Sequence, residues 1–210
     1  MKSDHETSVP DLASLLDDLQ TVADRLGKPL STIVVPEEIS YATAVELGTV
    51  QALLRGEDPE ESPHPERVHQ RLKFLHETRL KDPVAKTKYL YDDIANGSAV
   101  KRAMVGHILT GERKANAEAC TSLEEFFGVG PGSLGMTNRA AVALRLEKIR
   151  DEAQTLAVEA WMKRMGFYEI ATRSSTTSPD QVSRAVFRAL PELEAKLAQL
   201  DVPATPEHQE

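Results

Sequence analysis

The sequence predicts an all-α protein: two related helical units in tandem, then a long helical region. Three observations carry this. Apolar residues recur at helical spacing through most of the 210 residues. One stretch of the first half reappears at an offset of 55 residues without a gap. From Arg139 onward an apolar seam advances in alternating steps of four and three.

The first helix is expected over residues 12–26, with Asp11 as N-cap. Leu12, Leu15, Leu16, Leu19, Val22, Ala23 and Leu26 share its apolar face, and Gly27 stops it. "KPLSTIVVPEE" is a connector whose Pro36 suits the first turn of the next helix. "STIVV" reads as a short strand only if a partner strand exists, and none is evident.

The repeat comes next. "ISYATAVELGTVQALLRGEDP" begins at Ile39, and "IANGSAVKRAMVGHILTGERK" begins at Ile94. The offset matches Ala44 with Ala99, Val45 with Val100, Val50 with Val105, Leu53 with Ile108, and Gly56 with Gly111. It also lays residues 12–26 roughly over 66–79. "EDPEESPHPE", at 57–66, reads as the linker between the copies.

A helix through Ala119, Leu123, Phe126 and Phe127 follows, ended by "GVGPGSLG". The seam of the long helix is Val142, Leu146, Ile149, Ala153, Leu156 and Ala160, with Trp161 and Met165 extending it. Such a seam serves either a second copy of the chain or packing within one chain. "TRSSTTSPD" is a loop, and Ser178 or Asp180 caps the last helix. Val182, Val186, Ala189, Leu193, Leu197 and Leu200 line that helix, and Pro191 is expected to kink or restart it. The segments are therefore 1–59, 60–135, 136–202 and a disordered tail at 203–210.

Charge is segregated along this order. Residues 1–66 hold 4 basic and 14 acidic side chains, net −10. Residues 67–116 hold 11 and 5, net +6, and residues 117–210 hold 10 and 14, net −4. The overall −8 thus conceals a basic block around the second copy. Surface fields fade over about 8–10 Å at physiological salt, so the block matters more than the total. Its bland alternative is a solvated helix face.

The second copy has the logic of a helix-turn-helix. Ile94 and the small Ala95 let two helices cross closely, and Ala99 occupies the turn. Val100, Val105 and Ile108 point inward. Lys101, Arg102, Met104, His107 and Thr110 then point outward, and Gly106 permits close backbone approach, as a major-groove reader requires. Lys101 or Arg102 suits guanine acceptors. Lys86, Lys88, Arg113, Lys114 and Tyr91 suit phosphates. Asp92 and Asp93 would repel DNA if turned toward it, although they favour a helix N-terminus. In the first copy, Glu46, Leu47 and Ala52 replace Lys101, Arg102 and His107, beside Glu57, Asp58, Glu60 and Glu61. That surface suits protein contacts or regulation, or a cover for the basic face of the second copy.

The run "IANGSAVKRAMVGHILTGERKANAEACTSLEEFFGVGPGSL" resembles the lambda-repressor-like, XRE-type helix-turn-helix family. Within that family it is similar to the actinobacterial EspR-like nucleoid-associated regulators, through "ILTGERK", "FFGV" and the long helices after them. The resemblance covers about residues 66–200. It implies double-stranded DNA as partner and a homodimer joined by the C-terminal helices, through Val142, Leu146, Ile149, Ala153, Leu156, Ala160 and Trp161. Two departures stand out. Tyr91 and Asp92 lie where the family carries a glutamine, and the connector from Arg79 to Lys88 is long.

Other chemistry finds little support. His64, His69 and His76 lack a convincing third metal ligand. Cys120 falls on a core face, and a single cysteine excludes an internal disulfide framework. "GVGPGSLG" follows a helix and lacks the lysine of a phosphate loop. No nucleophile–base set emerges, so neither an enzyme nor a cofactor is expected. The polar N-terminus and the absence of an apolar run near ~18 residues point to a cytoplasmic protein without a membrane contact. The competing function is a helix-turn-helix-derived interaction module, antitoxin-like or adaptor-like, that has lost DNA.

Overall fold

The computed structural model describes residues 11–164 and 179–200. It is mostly helical and divides into two compact units, Met1–Asp17 with Val34–Lys148, and Asp18–Ile33 with Ile149–Glu210. The matching stretches that begin at Ile39 and Ile94 both lie in the first unit, whereas residues 18–33 belong to the second. Met165, the loop at 172–178 with Ser178, and the tail at 203–210 lie outside the described residues.

Helix α1 spans Leu12–Leu26, with the Ala13 amide donating to Asp11 Oδ1 at 3.4 Å. Gly27, at φ +63°, ends it in a backbone conformation that glycine adopts without cost. The strand considered at "STIVV" does not form. Pro29 O accepts from the Thr32 amide at 3.0 Å and from its hydroxyl at 2.8 Å. These local bonds wind Leu30–Thr32 into a 3-10 turn, and Val35 then caps the next helix.

That helix, α2, is Pro36–Thr43, and α3 is Leu47–Leu54. Their counterparts are α5, Tyr91–Gly97, and α6, Arg102–Leu109, while α4, His64–Thr78, precedes them. Both members of each pair start 55 residues apart, as the repeat requires. The inward positions match too: Ile39, Val45, Val50 and Leu53 are buried, as are Ile94, Val100, Val105 and Ile108. Gly56 and Gly111 close both pairs at φ +79° and +78°.

The turns of the two pairs differ. Ala44 is left-handed at φ +56°, a costly state for a residue with a Cβ, and it is 4% exposed. The Ser40 hydroxyl donates to Val45 O at 2.6 Å and the Thr43 hydroxyl to Ile39 O at 2.7 Å, which fixes this turn. Ala44 belongs to the core of the second copy, with Val68, Leu72 and Leu75 of α4 and Ile94 of α5. The matching Ala99 is exposed, and its amide donates to Ser122 Oγ at 2.7 Å.

A feature absent from the sequence expectation is a β-hairpin in the long connector. Strand β1, Leu80–Asp82, pairs antiparallel with β2, Thr87–Lys88. Asp82 Oδ1 accepts from the Val84 amide at 2.8 Å and the Ala85 amide at 3.0 Å, and Lys86 turns the chain at φ +53°. An aspartate before a proline is a turn-starting pair.

Helix α7, Ala117–Phe127, is capped by Asn116, whose side chain accepts from the Ala119 amide at 2.8 Å. Gly128 ends it at φ +67°. The glycine-rich segment beyond is a turn, held by two buried charges. Glu124 accepts from the amides of Gly132 and Leu134, each at 2.8 Å. Arg71 of α4 donates to the Ser133 carbonyl and, at 3.0 Å, to Asn138 Oδ1. Burial, with Arg67 nearby, pulls the Arg71 pKa down to about 10.

The long helix α8, Asn138–Arg164, begins on the supposed linker. Glu61 accepts from the Asn138 amide at 2.5 Å, and Asp58 meets Arg139 at 3.2 Å. Carboxylates at a helix N-terminus satisfy free amides and oppose the helix dipole. Glu61 of the acidic segment therefore caps α8.

In the second unit, Val22, Ala153 and Ala157 form a small core flanked by Leu26, Ile33 and Phe187. Helix α9, Pro179–Leu200, continues through Pro191 rather than restarting there. Arg25 lies 5.0 Å above the Phe187 ring and 3.8 Å from Glu194. Arg150 meets Asp18 at 3.5 Å.

Candidate nucleic-acid interface

The interface is built on α6 and the elements that aim it. Val105, Ile108 and Leu109 anchor the helix inward. His69 of α4 donates from Nδ1 to the Ile108 carbonyl at 3.2 Å, and His76 from Nε2 to the Tyr89 carbonyl at 2.9 Å. These histidines are backbone clamps. Among the described residues no three of His, Cys, Asp and Glu gather as a metal site.

Aromatic packing sets the spacing. Tyr89, Phe126 and Phe127 meet edge to face, with centroids 4.9–6.4 Å apart. A Cβ on Gly97 would lie 2.6 Å from two carbons of the Phe126 ring, so any larger residue at the end of α5 forces that ring to move.

Lys101, Arg102, His107, Thr110, Arg113 and Lys114 are exposed on or beside α6, and Lys86 and Lys88 are exposed on the hairpin. Tyr91 is 37% exposed, its ring 5.9 Å from His76. Two expected contact residues are placed otherwise. Met104 is half-buried against the core because its step along α6 brings it beside Val105 and Ile108. Gly106 faces the Tyr91 ring, 3.5 Å from where its Cβ would be, so the backbone it exposes is covered on that side.

Acidic partners shape the surface further. Arg102 pairs with Asp92 at 2.5 Å, and His107 with Glu112 at 2.5 Å. The His107 hydrogen bond, and its charge when protonated, hold the Glu112 carboxyl below its ordinary range. Lys81 meets Asp93 at 2.6 Å, and the Leu90 amide donates to Asp93 at 2.9 Å. Lys81, then that amide, hold the Asp93 carboxyl low as well. Asp93 thus caps α5, while Asp92 stays exposed beside Arg102. The basic block is also partly structural. Arg71 is buried, Arg67 bonds Ser62 O, Glu61 and Gly135 O, and Arg79 stacks on Tyr41. Lys86, Lys88, Lys101, Arg113 and Lys114 remain without an ion-pair partner among the described residues.

The first copy does not cover this surface, since Lys101, Arg102, Arg113 and Lys114 are all exposed. Its own Leu47 and Ala52 are half-buried, and Glu46 is exposed.

The expected dimer seam is largely used inside the chain. Val142 and Leu146 are fully buried, and Ile149 and Ala153 are 7% and 4% exposed. The buried face then passes to Ala157 and Val158, while Leu156 is 53% exposed. An uncoiled helix turns every 3.6 residues and drifts off a 3.5-residue seam, so the face rotates by one position. Leu156 and Ala160 are the exposed seam residues, and Trp161 is half-buried.

Cys120 is half-buried against the core, where burial and then Glu124 push its thiol pKa up. No helix of the described residues is long and apolar enough to cross a membrane. No protein-family model matches the chain, and no curated protein or solved structure matches it either.

Proposed function

We propose that the protein binds double-stranded DNA as a transcription regulator or nucleoid-associated factor of the XRE type, with α6 in the major groove. One observation carries this reading. A single short helix puts Val105, Ile108 and Leu109 into the core while Lys101, Arg102, His107 and Thr110 face out, with Arg113 and Lys114 at its end. The hairpin lysines Lys86 and Lys88 add phosphate contacts. A homodimer through Leu156, Ala160 and neighbouring residues accompanies this reading. The pairing of Arg102 and His107 with acids favours one rival, a protein-interaction module of the same fold. The acidic N-terminal region, net −10 over residues 1–66, suits a basic protein partner.

Salt separates the two. Binding of the full chain to a labelled duplex is expected to fall steeply from about 50 to 200 mM salt, as several phosphate contacts require. Lys101→Ala with Arg102→Ala is expected to weaken it at least about tenfold, a loss of roughly 1.4 kcal/mol, while circular dichroism and oligomeric state stay unchanged. Undiminished binding by that double variant would exclude α6 as the reader.

A further inference from the structure

Away from α6, the C-termini of α2 and α4, the turn after α7 and the early part of α8 enclose an open cavity of about 410 Å³. Three cations line it, Arg79, Arg145 and Lys148, and no carboxylate does. Its remaining surface is mainly apolar, with Val129, Met136 and Leu144 contributing. Leu144 is 53% exposed there.

The cations are underused. The Nε atoms of Arg79 and Arg145 are buried without a hydrogen-bond partner, as are those of Arg67 and Arg71 elsewhere, and what sets the cavity apart is the lack of any carboxylate in its lining. Among the described residues no carboxylate pairs with Arg79, Arg145 or Lys148. Arg79 is held in place by other means. Its guanidinium lies 3.6 Å over the Tyr41 ring and donates from Nη2 to the Tyr41 carbonyl at 2.8 Å. That leaves a preorganised donor fork whose charge is not neutralised. Arginine forks match carboxylate and phosphate oxygens, and a cavity of this size with apolar walls and a few polar groups suits a small molecule.

We infer that this cavity binds a small organic anion, a carboxylate or phosphate ester carrying a compact apolar body. The anionic oxygens engage Arg145, Arg79 and Lys148, and the body covers Met136 and Leu144. Arg79 directly precedes Leu80, the first residue of the β-hairpin, so occupancy acts at the root of that hairpin. An effector role at the cavity would therefore be transmitted through a single residue.

The test uses the full chain and no DNA, so it succeeds or fails independently of the DNA reading. Benzoate and phenyl phosphate are titrated by calorimetry, with benzyl alcohol as the neutral counterpart and inorganic phosphate as the bare anion. Both aromatic anions are expected to bind at least tenfold more tightly than benzyl alcohol and than inorganic phosphate. They are also expected to shift the arginine Nε–H resonances of the unmodified protein. Arg145→Met with Lys148→Met is expected to lose at least tenfold in affinity for either anion, and Arg145→Lys to retain part of it. Equal binding of benzoate and benzyl alcohol, or undiminished binding by the double variant, would overturn the proposal. So would failure of both aromatic anions to bind the full chain.

Discussion

Arg102 and Asp92 hold each other at 2.5 Å across the helix pair, both largely exposed. On the proposed reading, the residue best suited to a guanine is thus tied to a carboxylate. An exposed ion pair contributes only about 0–1 kcal/mol, which a phosphate or base can displace. Asp92→Asn is expected to raise duplex affinity about two- to tenfold at low salt and less at high salt. Fluorescence anisotropy checks this, and the gain should vanish in an Arg102→Ala background. A loss of affinity in Asp92→Asn would show that the pair presents Arg102 rather than restraining it.

Gly97 and Phe126 form the tightest steric fit near the interface, since any Cβ at 97 meets the ring at 2.6 Å. Gly97→Ala should destabilise the protein by about 1–3 kcal/mol through overpacking. Chemical denaturation measures this. The penalty should shrink when Phe126→Ala is combined with it, because the obstructing ring is gone. An unaltered denaturation midpoint in Gly97→Ala would contradict the geometry.

Glu124 is 3% exposed and accepts two amides from the turn that leads into α8. Glu124→Ala leaves both N–H groups without that acceptor and should cost about 1–3 kcal/mol. Amide exchange should accelerate first at Gly132 and Leu134. Unchanged protection there would mean that the turn stands without the clamp.

Acid should weaken the interface before it weakens the core. Asp93 and Glu112 have folded pKa values below their ordinary ones, so their contribution is fully present above about pH 4 to 4.5. It is lost as pH falls through the lowered folded values. Stability should therefore drop with decreasing pH in that window, and Asp93→Asn with Glu112→Gln should make the drop shallower. Parallel curves for the two proteins would remove these carboxylates as contributors.

Much of this molecule was legible in the chain because periodic apolar spacing and glycine stops are local signals. The bounds of α1, the proline start of α2 and the 55-residue offset all follow from them. What escaped was non-local. Arg71 and Glu124 look like ordinary surface charges on amphipathic helices, and only folding reveals that they hold backbone atoms about 60 and 10 residues away. The hairpin escaped because its strands are only three and two residues long, too short to show alternation. The pairing of Arg102 with Asp92 needed the angle between α5 and α6, which composition does not encode. The seam of α8 was read at the right residues through Ala153, but a heptad does not say which neighbour covers it.

The buried Ala44 has a consequence for how the repeat unfolds. A left-handed alanine from the first copy fills part of the core of the second. Deleting the first copy would remove Ala44 from the core that also holds Leu72 and Leu75. The helix pairs of the two copies are therefore expected to melt in one cooperative transition.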